Sequence, residues 1–317
     1  MMKVFIITTK DARTDIFEEI KKHAEVVILD KEENDVDKYS EIIDDVDEKI
    51  LGVYMPNIIE WTLPRGFLEK VKNLKGIATR SAWTDYIDKD YCRENNIPIS
   101  HTPVANSQSV SEYAIWQLLC LTRKLPLQME DGFKTFRDDE HTQTEVTGKT
   151  MGVIGLGNIG SRIAKLGEGM GMKVLYWNRS DKDVPYEYDT VENVLKRSDF
   201  VFNCLETCDE TKGFLNKERL GLMKSSAYFV SVLGGAGWGV EDDDYLIEIV
   251  RKGKLAGMSA ENEHKKGWKE PDTKGINVFF PGAYAWMTWE AADRMDKMFV
   301  EGVIGMLEGK KVNQVSL

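Results

Sequence analysis

Met151–Leu166 reads M-G-V-I-G-L-G-N-I-G-S-R-I-A-K-L, and its glycines Gly155, Gly157 and Gly160 are spaced as G-x-G-x-x-G. An apolar run leads into them, an amphipathic run leads out, and a second apolar run, K-V-L-Y-W, follows at 173–177. Strand, glycine turn, helix and strand are the context in which this spacing binds a dinucleotide. The glycines let the backbone turn tightly and approach a pyrophosphate, and the helix N-terminus faces the phosphate charge. The expected contacts are Gly155, Gly157, Asn158, Ile159 and Gly160.

Working outward, the same alternation fills the chain. Short apolar runs stand at 3–7 (KVFII), 25–29 (EVVIL), 49–55 (KILGVYM), 75–79 (KGIAT) and 97–100 (IPIS), with helix-like segments such as DIFEEIKKHA and RGFLEKVKNL between them. A longer helical pattern runs from Asn106 to Lys124, with Val110, Ala114, Leu118 and Leu121 on one face. A second alternating series starts at Met151, and a closing helix carries Ala292, Met295, Met298/Phe299, Val303 and Met306 at helical spacing. Alternation of this kind predicts parallel sheets with crossover helices. The length fits two Rossmann-like or flavodoxin-like α/β domains joined through the 106–124 helix better than one.

The composition, 42% hydrophobic and 30% charged, supplies a core and argues against global disorder. A net charge of -11 argues against nucleic acid or an anionic membrane as the main partner. The acidic stretch from Asp30 to Glu48 reads as a solvated helical face. The apolar run at the N-terminus is too short for a signal sequence, and no stretch reaches the length of a membrane span. Cys92, Cys120, Cys204 and Cys208 are scattered and read as buried thiols, with no metal site. The expectation is a soluble, reduced, cytoplasmic protein.

The end of the second strand of a dinucleotide fold selects the ribose. A carboxylate there holds the 2′-hydroxyl of NAD, whereas Arg beside small polar residues suits a 2′-phosphate. This chain has Asn178, Arg179 and Ser180 at that point. NADP(H) is therefore favoured, with NAD(H) possible through Asn178.

Taken together these landmarks resemble the D-isomer-specific 2-hydroxyacid dehydrogenase family. The resemblance covers nearly the whole chain. It lies in residues 74–103, in N-S-Q-S-V-S-E-Y-A (106–114), in the glycine fingerprint, in D-E-T-K-G-F-L-N-K-E-R-L-G-L-M-K (209–224) and in R-K-G-K-L-A-G-M (251–258). The T-R-S-x-x-x-D-x-I-D-x-D-Y-C block is similar to the D-lactate dehydrogenase branch. The resemblance implies a cofactor domain, 102–287, nested within a substrate domain split into 1–101 and 288–317. It also implies a homodimer and hydride transfer between nicotinamide and a 2-keto or 2-hydroxy acid.

The family's chemistry uses an Arg on the substrate carboxylate, a His that moves the proton and a Glu that supports the His. Carried over residue by residue, the Arg position falls on Gly234, in the loop V-L-G-G-A-G-W-G (232–239). The His position falls on Ala283 (or Gly282 with the gap moved), and the Glu matches Glu263. Leu233 and Ser259 fall at cofactor-facing positions, Ser259 where the family has an Asp. Ala82 and Trp83 replace a small pair whose N–H groups meet the carboxylate.

The substrate pocket implied in this way comprises Ala82, Trp83, Gly234, Trp238, Ala283 and Trp286. Its missing groups all face the substrate, while the phosphate-binding glycines remain. A simple 2-keto acid would lose its anchor, and an aromatic-lined pocket suits an apolar, aromatic or cationic carbonyl or imine compound. The proton would then come from Tyr284, or from His101 or His264. An inactive dinucleotide-binding sensor or scaffold is the alternative, and an ordinary D-2-hydroxyacid dehydrogenase a further one. The rebuilt aromatic pocket favours an enzyme.

Overall fold

The structure, a computed structural model, describes residues 2–9, 12–30, 35–134, 142–232, 240–261 and 271–317. The chain packs as two compact units, Met1–Asn106 with Thr288–Leu317, and Ser107–Met287. The first unit is built on strands β1 (Lys3–Thr8), β2 (Glu25–Asp30), β3 (Lys49–Val53), β4 (Leu74–Thr79) and β5 (Ile99–Ser100). Short helices α1 (Glu18–Lys21), α2 (Ser40–Ile43), α3 (Arg65–Leu68) and α4 (Lys89–Glu94) lie in the connections. The strands pair in parallel in the order β2-β1-β3-β4-β5.

Alternate residues of β1 and β3 supply both faces of this sheet, as the pleat requires. Phe5, Ile7, Leu51 and Val53 enter one cluster, and Val4, Ile6 and Ile50 the other. The acidic stretch is not the single helical face expected of it. Its described part forms a 3-10 turn at Val36–Lys38 and then α2. Short acidic side chains here bond nearby backbone, Asp35 accepting from Asp37 N–H and Asp45 from Asp47 N–H, which favours turns over a helix interior.

The second unit begins with α5 (Ser107–Thr122) and α6 (Leu125–Glu130). It continues through β6 (Thr150–Ile154), α7 (Asn158–Gly169), β7 (Lys173–Trp177), β8 (Glu187–Tyr188), α8 (Val191–Arg197) and β9 (Phe200–Asn203). It closes with α9 (Lys217–Leu220), β10 (Tyr228–Ser231), α10 (Asp243–Arg251), β11 (Gly257–Ala260) and β12 (Val278–Phe279). The sheet runs β12-β11-β10-β9-β6-β7-β8, parallel throughout. Helix α5 is part of this unit rather than a bare connector: Ala114, Leu118 and Leu121 pack with Val153, Ile163, Phe202 and Val230. Two parallel sheets of five and seven strands agree with the fold class expected from the sequence.

The chain then returns to the first unit as α11 (Trp289–Leu307), whose Phe299 and Val303 cover Val4, Ile6 and Ile50. Gly302 permits the close approach, since a Cβ there would lie 2.2 Å from Ser100 Oγ. The four cysteines are free, but they are not all buried as expected: Cys204 is half-buried and Cys208 is exposed. Cys208 lies in the loop after β9, where its N–H donates to Thr211 Oγ1 at 3.0 Å.

Candidate functional site

In the second unit, β6 delivers the chain to Gly155, which takes φ +95°, a conformation that L side chains avoid. A Cβ at Gly155 would lie 2.8 Å from the Cys204 carbonyl oxygen, and one at Gly160 would lie 2.1 Å from the Gly155 carbonyl oxygen. These glycines close the turn between strand and helix. Gly157 differs: a Cβ there would meet nothing within 4 Å, and its φ is -86°. It is the N-cap of α7 and provides no side-chain cap, so the first N–H groups of a 12-residue helix open onto the free space at Gly157. Gly157 and Asn158 are exposed and Ile159 is half-buried. Unsatisfied N–H groups and the positive end of the helix dipole favour an anion that can approach the backbone closely.

At the end of β7, Asn178 ties the strand to this turn. Its Oδ1 accepts from Leu156 N–H and its Nδ2 donates to the Ser180 carbonyl, each at 3.2 Å. The Arg179 side chain is 82% exposed and meets Glu210 at 3.2 Å. An ion pair this exposed contributes about 0–1 kcal/mol, so the guanidinium is available to another anion. The nearby carboxylate of Asp181 accepts from Tyr176 Oη at 2.5 Å.

Ser259 lies inside β11, where its Oγ accepts from Gln117 Nε2 of α5 at 3.0 Å. The acid at the carboxyl end of that strand is Glu261, one residue beyond it and buried. The sequence points to Ser259. Knowing where β11 stops, at Ala260, moves attention to Glu261.

In the first unit, Ala82 and Trp83 follow β4. Trp83 N–H donates to Ser81 Oγ at 3.1 Å. Its ring packs against Trp61 at 5.6 Å and Tyr86 at 5.8 Å, and Trp61 meets Tyr86 at 5.6 Å. Trp83 is 36% exposed, so this cluster presents one face to solvent. Trp61 has no distinguishing sequence signal. It sits with Glu60 in consecutive left-handed conformations, φ +52° and +46°, which cost non-glycine residues energy and tend to gather at functional sites.

His101 follows β5 directly. Its Nδ1 lies 3.1 Å from the Ala82 carbonyl, and a carbonyl only accepts, so Nδ1 carries the hydrogen. Burial lowers the His101 pKa, the bond to Ala82 opposes this, and Lys89 adds slightly to the lowering. The ring is neutral at neutral pH, and Nε2 is an acceptor.

Residues 115–265 match the family model for the D-isomer specific 2-hydroxyacid dehydrogenase NAD binding domain. The chain is similar to a glyoxylate reductase of Thermofilum pendens, 29% identical over 257 residues, 77% of this chain and 75% of that one. It resembles a D-lactate dehydrogenase from Aquifex aeolicus solved with NAD and lactic acid, at 26% identity and TM-score 0.78, over 99% of this chain and 100% of that one. An acyclic imino acid reductase in complex with NADPH and D-Arg shares the fold at 22% identity and TM-score 0.82, with 100% of each chain covered. Over residues 115–265 the chain carries the NAD binding domain of the D-isomer specific 2-hydroxyacid dehydrogenase family. It is an oxidoreductase with a nicotinamide-dinucleotide domain. Among the described residues no helix is long and apolar enough to cross a membrane.

Of the residues expected from the sequence at the family's catalytic positions, Ala283 lies among the described residues. Ala283, half-buried, offers no ionisable group. Beside it Tyr284 is 62% exposed, its N–H bonded to the Gly282 carbonyl at 2.7 Å. Tyr113 Oη also donates to that carbonyl, at 3.2 Å, which fixes the segment to α5. A Cβ at Gly282 would press within 2.6 Å of the Tyr284 ring. Trp286 is 37% exposed. Leu233, Gly234, Trp238, Glu263 and His264 lie outside the described residues.

Proposed function

We propose that the chain is an NADPH-preferring reductase that transfers hydride to the carbonyl or imine carbon of a compound other than a simple 2-keto acid. The observation that carries this reading is an open, uncapped glycine turn at Gly157 combined with Ala283 where the family's proton-transferring His is expected. The residues around the turn fit a dinucleotide: the space at Gly157 and the α7 N-terminus suit a pyrophosphate, and Arg179 suits a 2′-phosphate. When bound, the reduced nicotinamide supplies the hydride.

Loss of a bidentate Arg–carboxylate pair costs about 2–5 kcal/mol, which disfavours substrates held only by a carboxylate. Trp83, backed by Trp61 and Tyr86, would instead meet an apolar, aromatic or cationic group. The imino acid reductase solved with NADPH and D-Arg supports both the imine class and the cofactor preference as a hypothesis. The D-lactate dehydrogenase solved with NAD keeps NAD(H) as the second cofactor to test.

In this reading Tyr284 donates the proton, through a phenol that is exposed rather than locked in the core. His101 orients the Ala82–Trp83 loop and offers Nε2 as an acceptor. The reading includes a cytoplasmic homodimer, which light scattering would check. The deciding experiment titrates NADPH and NADH against tryptophan emission, then follows cofactor oxidation with 2-keto acids, aromatic ketones and imines. Turnover of a non-carboxylate compound with NADPH is expected. Efficient turnover confined to simple 2-keto acids would overturn the substrate assignment, and equal dissociation constants would overturn the cofactor preference.

A further inference from the structure

Glu241 stands just before Asp242, the N-cap of α10, and is buried. Its Oε2 accepts from Asn203 Nδ2 at 2.8 Å, and Asn203, fully buried, ends β9. Ser231 ends the adjacent strand β10. Its buried hydroxyl has no partner in good hydrogen-bond geometry among the described residues, yet it lies near enough to act on the carboxyl.

Asn203 carries this contact onward. Its Oδ1 accepts from Leu205 N–H at 3.3 Å, and its carbonyl accepts from Val232 N–H at 3.1 Å. Between them, Cys204 N–H donates to Ile154, the last residue of β6, at 2.8 Å. The Cys204 carbonyl is the atom against which Gly155 closes. Glu241 therefore adjoins the wall on which the glycine turn is built.

Burial pushes the Glu241 carboxyl up to about 7, and Asp243 acts in the same direction, while Ser231, its own backbone N–H and Asn203 oppose this. Among the described residues no cation pairs with it. Lys217 of α9 pairs with Asp242 at 3.8 Å, and β9 and β10 present the neutral Asn203 and Ser231. A carboxylate formed here would share the carboxyl ends of β6, β9 and β10 with an anionic pyrophosphate, and like charges in a low-dielectric site disfavour each other.

We propose that Glu241 is a proton-linked positioning residue: it takes up a proton from solvent when the dinucleotide binds, and its ionisation weakens the dinucleotide's hold. This rests on reading the unit as a dinucleotide site. The test is calorimetric titration of the full chain with NADH and with NADPH, in buffers of unlike ionisation enthalpy. It compares the wild type with Glu241→Gln from about pH 6 to about pH 8.5. The wild type should take up protons with both cofactors, and its Kd should rise about fivefold to tenfold across that range.

Glu241→Gln should bind with a flatter profile and less proton uptake. Uptake with NADH matters because NADH lacks the titrating 2′-phosphate. Absence of uptake by the wild type with NADH, or equal uptake by the variant, would overturn the proposal. The wild-type measurement decides alone if the variant does not fold. Failure of both cofactors to bind at any pH would instead overturn the dinucleotide reading beneath it.

Discussion

Gly155 and Gly157 stand two residues apart and answer to different constraints. At Gly155 the backbone is left-handed and packed against Cys204, so Gly155→Ala should cost about 1–3 kcal/mol, seen as a lower urea midpoint. At Gly157 a methyl group meets open space at an ordinary φ. Gly157→Ala should leave stability within about 0.5 kcal/mol of wild type and weaken NADPH binding about tenfold, because the methyl occupies the space left for the pyrophosphate. Unchanged cofactor affinity in a folded Gly157→Ala protein would remove the turn from the binding site. Tyr284→Phe should lower kcat about 100-fold with little change in cofactor Kd, as expected of a lost general acid. Full turnover by that variant would clear Tyr284 of the role. The glycines were legible because their spacing is local. Trp61 was not, because its partners Trp83 and Tyr86 reach it only through the fold.

Helix α11 shows how far periodicity reads an element. Of the stripe Ala292, Met295, Met298/Phe299, Val303 and Met306, the structure buries Met295, Phe299 and Val303 and leaves Ala292, Met298 and Met306 half-buried. The same face also buries Asp296, which no apolar pattern anticipates. Asp296 Oδ1 accepts from Tyr54 Oη at 2.8 Å and from Arg80 Nε, and the Arg80 guanidinium lies over the Tyr54 ring at 4.7 Å. Its partners stand 242 and 216 residues away, beyond any sequence window. Removing Asp296 leaves the buried Tyr54 hydroxyl and the half-buried Arg80 guanidinium without their carboxylate, which is where such clusters are costly. Asp296→Ala should therefore destabilise the protein by about 3–5 kcal/mol by chemical denaturation. A loss below about 1 kcal/mol would mean that the cluster is well solvated. Strand ends were a further gap. Periodicity locates β11, yet Ser259 or Glu261 as its functional residue depends on a boundary at Ala260 that hydrogen bonding sets.

At the scale of the whole molecule, two parallel sheets followed from the alternating apolar runs, since each strand buried on both faces announces itself in sequence. Strand order and the polar contacts between strand ends did not follow, because they depend on which ends the crossovers bring together. Glu241 is such a contact, and it has a consequence for global stability. Its carboxyl, raised to about 7 by burial, stays protonated in the native protein at pH values where the unfolded chain has released that proton. Between the ordinary glutamate value of about 4.3 and about 7 the native state binds more protons than the unfolded state, so stability falls as pH rises. The stabilisation is complete below that window and lost above it, and its full size is on the order of 3 kcal/mol. Glutamine imitates the protonated carboxyl at every pH. Without cofactor, the urea midpoint of Glu241→Gln should match the wild type near pH 4 and exceed it near pH 8. Parallel pH profiles for the two proteins would mean that Glu241 ionises in the native state as freely as in the unfolded one. The Asn203 contact would then hold a carboxylate, and the wall beside the glycine turn would carry a fixed negative charge.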